Sequence, residues 1–230
     1  MRGLLQSAAA ALLILLGAHA ASAQIYRLRR DPPGRGSVEL GGGVMWASGF
    51  ELGTSAAQLT RSGQQRTFDL FSAEGEVGGF PGAHARVGVY LSPTISLEAG
   101  FRYARPQLAY RLSGDAESAP EETATEIINH YVFDGSLLVH FPGAAFASGR
   151  GVPFVSGGAG YVRELHEGNA LVETGNEIHL TGGIKYWFGT RGRRVGFRAE
   201  AGISSREKGF DQQEGRRLQP LALAGMTFLY

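Results

Sequence analysis

The stretch RRVGFRAEAGISS, residues 193–205, decides how the rest of the chain is read. Val195, Phe197, Ala199, Ala201 and Ile203 occupy every second position. Gly196, Arg198, Glu200, Gly202 and Ser204 lie between them. A strand sends successive side chains to opposite faces, so this alternation predicts one apolar and one polar face. Residues 177–188, EIHLTGGIKYWF, repeat it. Ile178, Leu180, Gly182, Ile184, Tyr186 and Phe188 face one way, and Glu177, His179, Thr181, Gly183, Lys185 and Trp187 the other. In 94–104, Ile95, Leu97, Ala99, Phe101 and Tyr103 oppose Ser96, Glu98, Gly100 and Arg102. In 83–91, Ala83, Ala85, Val87, Val89 and Leu91 oppose His84, Arg86, Gly88 and Tyr90.

Four segments alternate more loosely. Residues 37–47 place Val38, Leu40, Gly42, Val44 and Trp46 together, and 129–141 do the same with Tyr131, Phe133, Gly135, Leu137, Val139 and Phe141. In the glycine-rich 152–164, the apolar face is assigned to Val155, Gly157, Ala159 and Tyr161. In 218–230 it is assigned to Pro220, Ala222, Ala224, Met226, Phe228 and Tyr230, although Leu221 and Leu223 interrupt the other face. Eight strands follow. The piece 66–78, RTFDLFSAEGEVG, has two readings: an extension of the second strand past a break at 79–82, or a separate hairpin that would make ten strands. Eight is adopted.

Composition narrows the class. The chain has 230 residues, 43% hydrophobic and 19% charged, with 35 glycines, 9 prolines and no cysteine. Each glycine weakens a helix interior by about 1 kcal/mol, which argues against a helical bundle. The missing cysteines exclude disulfides, thiolate nucleophiles and cysteine zinc sites. A formal net charge of +1 gives no electrostatic footprint for nucleic acid.

Residues 1–23 read as a cleaved signal peptide: Arg2, the apolar run from Ala8 to Gly17, and the small-residue site Ala21-Ser22-Ala23. The mature chain would begin at Gln24 and carry 21 basic and 21 acidic residues, since the removed segment holds one arginine and no acid. Residues 24–36 are then a periplasmic segment and 37–230 the strand domain. No later run reaches the roughly 20 apolar residues of a spanning helix. An exported chain of this kind is either a soluble β protein or a membrane barrel, since only helices and closed barrels satisfy all their backbone groups in lipid.

Loop lengths and aromatics favour the barrel. The long connections are mostly the odd-numbered ones, placing 49–79, 106–123, 166–175 and 206–216 outside. The connection 142–151 is long for a periplasmic turn. Phe141, Phe188, Phe228 and Tyr230 end the apolar faces on one side; Trp46, Phe101, Tyr103, Tyr131 and Tyr161 fall near the opposite rim. Amphipathic rings prefer the headgroup level, so two girdles predict two membrane interfaces. The predicted fold is all-β: an antiparallel up-and-down transmembrane barrel of eight strands.

LSPTISLEAGFRY at 91–103, PFVSGGAGY at 153–161, GGIKYWFG at 182–189 and the terminal TFLY at 227–230 make the chain resemble the small eight-stranded outer-membrane barrels of Gram-negative bacteria, the class of the outer membrane protein A transmembrane domain and the opacity-type proteins. The resemblance spans about residues 37–230. It implies a Gram-negative outer membrane, contact with its lipid and lipopolysaccharide, and delivery by the barrel-assembly machinery through a C-terminal strand ending in an aromatic. Tyr230 stands where the family usually has Phe. No peptidoglycan-binding domain is expected after the barrel.

An eight-stranded interior is just wide enough for side chains to fill. The candidate lumen residues are Glu39, Arg86, Glu98, Arg102, Asp134, His140, His179, Lys185, Arg198 and Glu200. In a narrow interior such charges must pair. The readings are a salt-bridge plug beneath interacting surface loops, or a narrow conduit. A third compares His179-Leu180-Thr181 with the His-x-Ser arrangement that the resemblance associates with barrel lipid A deacylases. Here the hydroxyl is Thr181 and both residues fall inward, so no catalytic residue is assigned. No cofactor or metal is expected, since neither His-x-x-x-His nor a paired-Asp ladder occurs. The expectation is a monomer that binds no nucleic acid.

Overall fold

The computed structural model describes residues 33–60, 67–113, 122–166, 170–188, 194–207 and 217–230. The expected signal peptide at 1–23, most of segment 24–36, and residues 61–66, 114–121, 167–169, 189–193 and 208–216 lie outside the described residues. Twelve strands appear among the described ones: β1 (Val38–Ala47), β2 (Phe50–Thr60), β3 (Thr67–Val77), β4 (Phe80–Ser92), β5 (Ile95–Ala104), β6 (Gln107–Ser113), β7 (Glu122–Ile127), β8 (Asn129–His140), β9 (Gly151–His166), β10 (Leu171–Trp187), β11 (Arg194–Glu207) and β12 (Arg217–Leu229).

Eight of these close into an antiparallel barrel in the order β1-β12-β11-β10-β9-β8-β5-β4, and β1 pairs with both β12 and β4. They are the eight strands expected from alternation. At the seam, Val38 and Tyr230 exchange backbone hydrogen bonds of 3.0 and 2.8 Å. The rim carrying both ends of the described chain is called proximal below, and the opposite rim distal. At the proximal rim, the long connection 142–151 contains a 3-10 turn at Pro142–Ala144.

The remaining four strands correct the expectation that 49–79 and 106–123 are loops. They form a second sheet in the order β2-β3-β6-β7. Each continues a barrel strand across a break of one or two residues: β1 into β2, β3 into β4, β5 into β6 and β7 into β8. Glycine or proline marks three of the breaks, at Gly49, at Gly78-Gly79 and at Pro106, where the ladder loses side-chain support or a donor. The piece 66–78 therefore extends β4 distally and also forms one arm of a hairpin with β2. It does not enter the barrel, so the ten-strand alternative falls.

The barrel wears its apolar residues outside. Val44 is 66% exposed, Leu180 60% and Phe133 53%, while Lys185, Arg198 and Glu200 on the other parity are buried. Leu40, Val87, Val89, Leu97, Leu137, Ile178 and Ile203 continue the exposed set around the wall. An apolar belt of this extent is incompatible with a water-facing monomer and fits the acyl interior of a bilayer. Phe101, Tyr103, Tyr131 and Phe133 form a ring cluster on the distal half, with centroids 5.0–6.4 Å apart. Tyr186 and Phe188 pack at 5.2 Å near the proximal rim, with Tyr230 exposed there. This is a transmembrane β-barrel.

Buried apolar side chains stop both mouths. Tyr90, Trp187 and Leu229, with Val152 against them, close the proximal end. A larger cluster closes the distal end, joining Met45, Ala47, Phe80, Ala104, Leu221 and Leu223 of the barrel to Leu52, Val77 and Leu108 of the outer sheet.

Candidate functional site

The lumen between the two apolar stoppers holds the charged residues. At its centre four side chains form a closed cycle of ion pairs. Arg86 Nη1 lies 3.1 Å from Glu98 Oε1, and Arg86 Nη2 also donates to Glu200. Arg198 Nη1 lies 2.6 Å from Glu98 Oε2, and its Nη2 lies 2.7 Å from Glu200 Oε2. Two guanidinium forks serve two carboxylates, which suits the planar donor geometry of arginine. The Arg198 guanidinium also lies over the Phe154 ring, 4.6 Å from its centroid.

On the proximal side Lys185 Nζ donates to Glu39 Oε2 at 2.7 Å. Tyr90 donates to the same oxygen at 2.9 Å, and Thr227 donates to Oε1 at 2.7 Å. Lys185 is fully enclosed, with the Tyr90 and Phe154 rings 5.4 and 5.6 Å from Nζ. His140 Nε2 shares a 2.9 Å hydrogen bond with Ser96 Oγ. On the distal side Arg102 reaches Asp134 at 3.4 Å and Glu177 at 2.5 Å. His179 Nε2 lies 2.9 Å from Ser136 Oγ. Farther out, Glu164 Oε1 is held at 2.9 Å by both His130 and Arg206.

All ten lumen candidates thus lie on inward parities, and each has a polar partner. Sequence reasoning left out of the set Glu177, Tyr90, Thr227, Ser96 and Ser136, which complete the network. Each sits at an inward position of a strand already recognised, so parity alone would have found them. Glu164, the last residue of the 152–164 segment, also has inward parity; Arg206 lies just beyond the 193–205 segment and gave no such signal.

Little space remains. A cavity of about 20 Å³ lies among Arg102, Asp134, Ser136, Thr181 and Glu200, and one of about 10 Å³ near His84 and Arg198. The first has room for about one water molecule. Ser136, His179 and Glu177 make a Ser-His-acid line, with His179 Nδ1 3.8 Å from Glu177, but Ser136 and His179 line only this small space. His179 and Thr181 are both buried inward, away from lipid.

At the distal seam Tyr110 of β6 packs against the apolar stopper. Burial raises its phenol above the usual value, and the nearby charges of Glu126 and Glu173 add to this.

No protein-family model matches the sequence, and none of the curated proteins does. Similarity appears among solved structures. The outer membrane protein OprG from Pseudomonas aeruginosa aligns with a TM-score of 0.50 at 9% identity, over 86% of this chain and 97% of that one. Neisserial surface protein A aligns with a TM-score of 0.46 at 11% identity, over 84% and 95%. The outer membrane protein AlkL, solved in lipid bilayers, aligns with a TM-score of 0.37 at 14% identity, over 89% and 95%. The fold of this chain is that of the small eight-stranded outer-membrane β-barrels.

Proposed function

We propose that the chain is an integral barrel of a Gram-negative outer membrane with a structural or surface-interaction role. Its lumen is a closed plug, and its distal four-stranded sheet is the interacting surface. The proximal rim is periplasmic and the distal rim extracellular. The barrel sits among outer-membrane lipid and lipopolysaccharide as a monomer. It is assembled through β12, and Tyr230, the residue after it, closes the seam with Val38.

The observation that carries this reading is the Arg86–Glu98–Arg198–Glu200 cycle between two apolar stoppers. An ion entering this path must displace paired charges from a poorly hydrated interior, which costs several kcal/mol per unpaired ion. No residue is assigned to chemistry, because the buried Ser136–His179 pair faces a space of about one water.

Purified protein reconstituted into a planar lipid bilayer tests the plug. The expected record is silent under applied voltage. Steady, repeated unit steps of conductance would overturn the plug and favour a narrow conduit.

A further inference from the structure

β9 and β10 run past the distal rim as a long hairpin, and the inward parity continues along it. Glu164 and His166 of β9 and Glu173 of β10 lie on that face. One ligand atom from each lies within 4.8 Å of the others.

Two further features mark the cluster. Glu164 and Glu173 stand directly opposite each other in the β9–β10 register. Like charges in that relation destabilise a ladder unless something positive lies between them. Arg206 and His130 both engage Glu164 through Oε1. Glu173 feels Arg206 and His166 only through space: its Oε2 is buried and accepts no hydrogen bond among the described residues. A buried, unsatisfied carboxylate oxygen is costly, and native structures normally give it a partner.

The third donor is the His166 imidazole, 0% exposed. Glu126 of β7 approaches it from the outer sheet, with Oε1 3.7 Å from Nδ1, longer than a hydrogen bond. One imidazole nitrogen with two or three carboxylates is a donor set for a first-row divalent ion, softer than an all-oxygen calcium or magnesium cage. Donor atoms around a tetrahedral zinc ion lie about 3.3 Å apart, so binding draws the present donors, which spread over up to 4.8 Å, inward.

We propose that Glu164, His166 and Glu173 bind a divalent transition-metal cation of the zinc type. Glu126 stands beside it as the fourth group. The ion offsets the facing carboxylates and ties the β9–β10 hairpin to β7 of the outer sheet.

The test uses the full-length mature protein, refolded in detergent micelles, stripped with a chelator and titrated with Zn²⁺ by calorimetry. One equivalent is expected to bind. His166→Gln and Glu173→Gln should each weaken it by roughly tenfold or more. Glu51→Gln, at an exposed position on β2, is the control and should bind as the parent does. Heat-dependent gel mobility, run on every variant, verifies that each barrel is closed. Absence of stoichiometric binding, or unchanged affinity in both closed cluster variants, overturns the proposal. A weak, non-saturating uptake shared by all variants overturns it as well. Addition of Zn²⁺ should also slow proteolysis within β9–β10 in the parent and leave Glu173→Gln unaffected.

Discussion

Arg198 on β11 bonds Glu98 on β5 at 2.6 Å, although these two strands stand diametrically opposite in the barrel. The pair crosses the whole lumen. Lys185 to Glu39 and Arg102 to Glu177 each join strands three places apart in the barrel order. The wall is held by its ladder, and these three bonds brace the interior between strands that never pair.

The fork of Arg198 bears on two carboxylates at once. Arg198→Lys keeps the charge but supplies a single nitrogen, which cannot reach Glu98 and Glu200 as the guanidinium does. A loss of about 1.5–3 kcal/mol is expected, the scale of a hydrogen bond to a charged group. Urea unfolding in micelles, followed by the fluorescence of Trp46 and Trp187, measures it. A midpoint equal to the parent's would show that the strut carries no stability.

Lys185 and Glu39 permit a sharper comparison. Lys185→Met strands a buried carboxylate and should cost about 3–5 kcal/mol. Adding Glu39→Gln removes that charge while leaving Tyr90 and Thr227 an amide to bond. The double variant should recover most of the loss. If the two effects simply add, the pair is not coupled and the arrangement seen here is incidental.

Lipid exposure can be separated from burial with arginine. Leu180→Arg, on the outward wall, should cost about 2–4 kcal/mol near the bilayer midplane. Ile127→Arg, equally exposed but on β7 of the outer sheet, should change stability by less than about 0.5 kcal/mol. Equal effects at the two positions would refute a belt confined to the barrel.

Glycine sets how closely the seam strands approach. Gly225 faces Gly43 across β1–β12, and a Cβ on Gly225 would stand 2.9 Å from the Gly43 Cα and 2.8 Å from the Gly42 carbonyl carbon. Gly225→Ala should therefore cost at least the 1–3 kcal/mol of overpacking and reduce the heat-modifiable fraction on unboiled gels. Gly135→Ala meets nothing within 4 Å and should behave as the parent does. Two indistinguishable gels would contradict the close approach.

The barrel was legible in the sequence because lipid and lumen impose opposite demands on adjacent residues. From Val195 to Ile203 every outward residue is apolar, and the lumen residues between them are polar or glycine. The outer sheet was hidden because that demand ends at the rim. ETATEI of β7 has water or polar neighbours on both faces, so no period appears, and FELGTSAAQLT of β2 is similarly mixed. The lumen charges could be named from parity. Their partners could not, since alternation fixes which way a side chain points but not which residue stands across the barrel. Glu173 shows the limit: its place opposite Glu164 depends on the β9–β10 register, which no local pattern encodes.

The bond from Thr227 to Glu39 joins residues 188 positions apart, one from the last strand and one from the first. Lys185, from the third-last strand, completes the same cluster. These partners meet only when the sheet curls shut, so a barrel open at the seam presents Glu39 and Lys185 as unmatched ions. Closure and charge neutralisation are then a single late event. That makes the transition cooperative and leaves the half-closed barrel no stable resting place on the folding path.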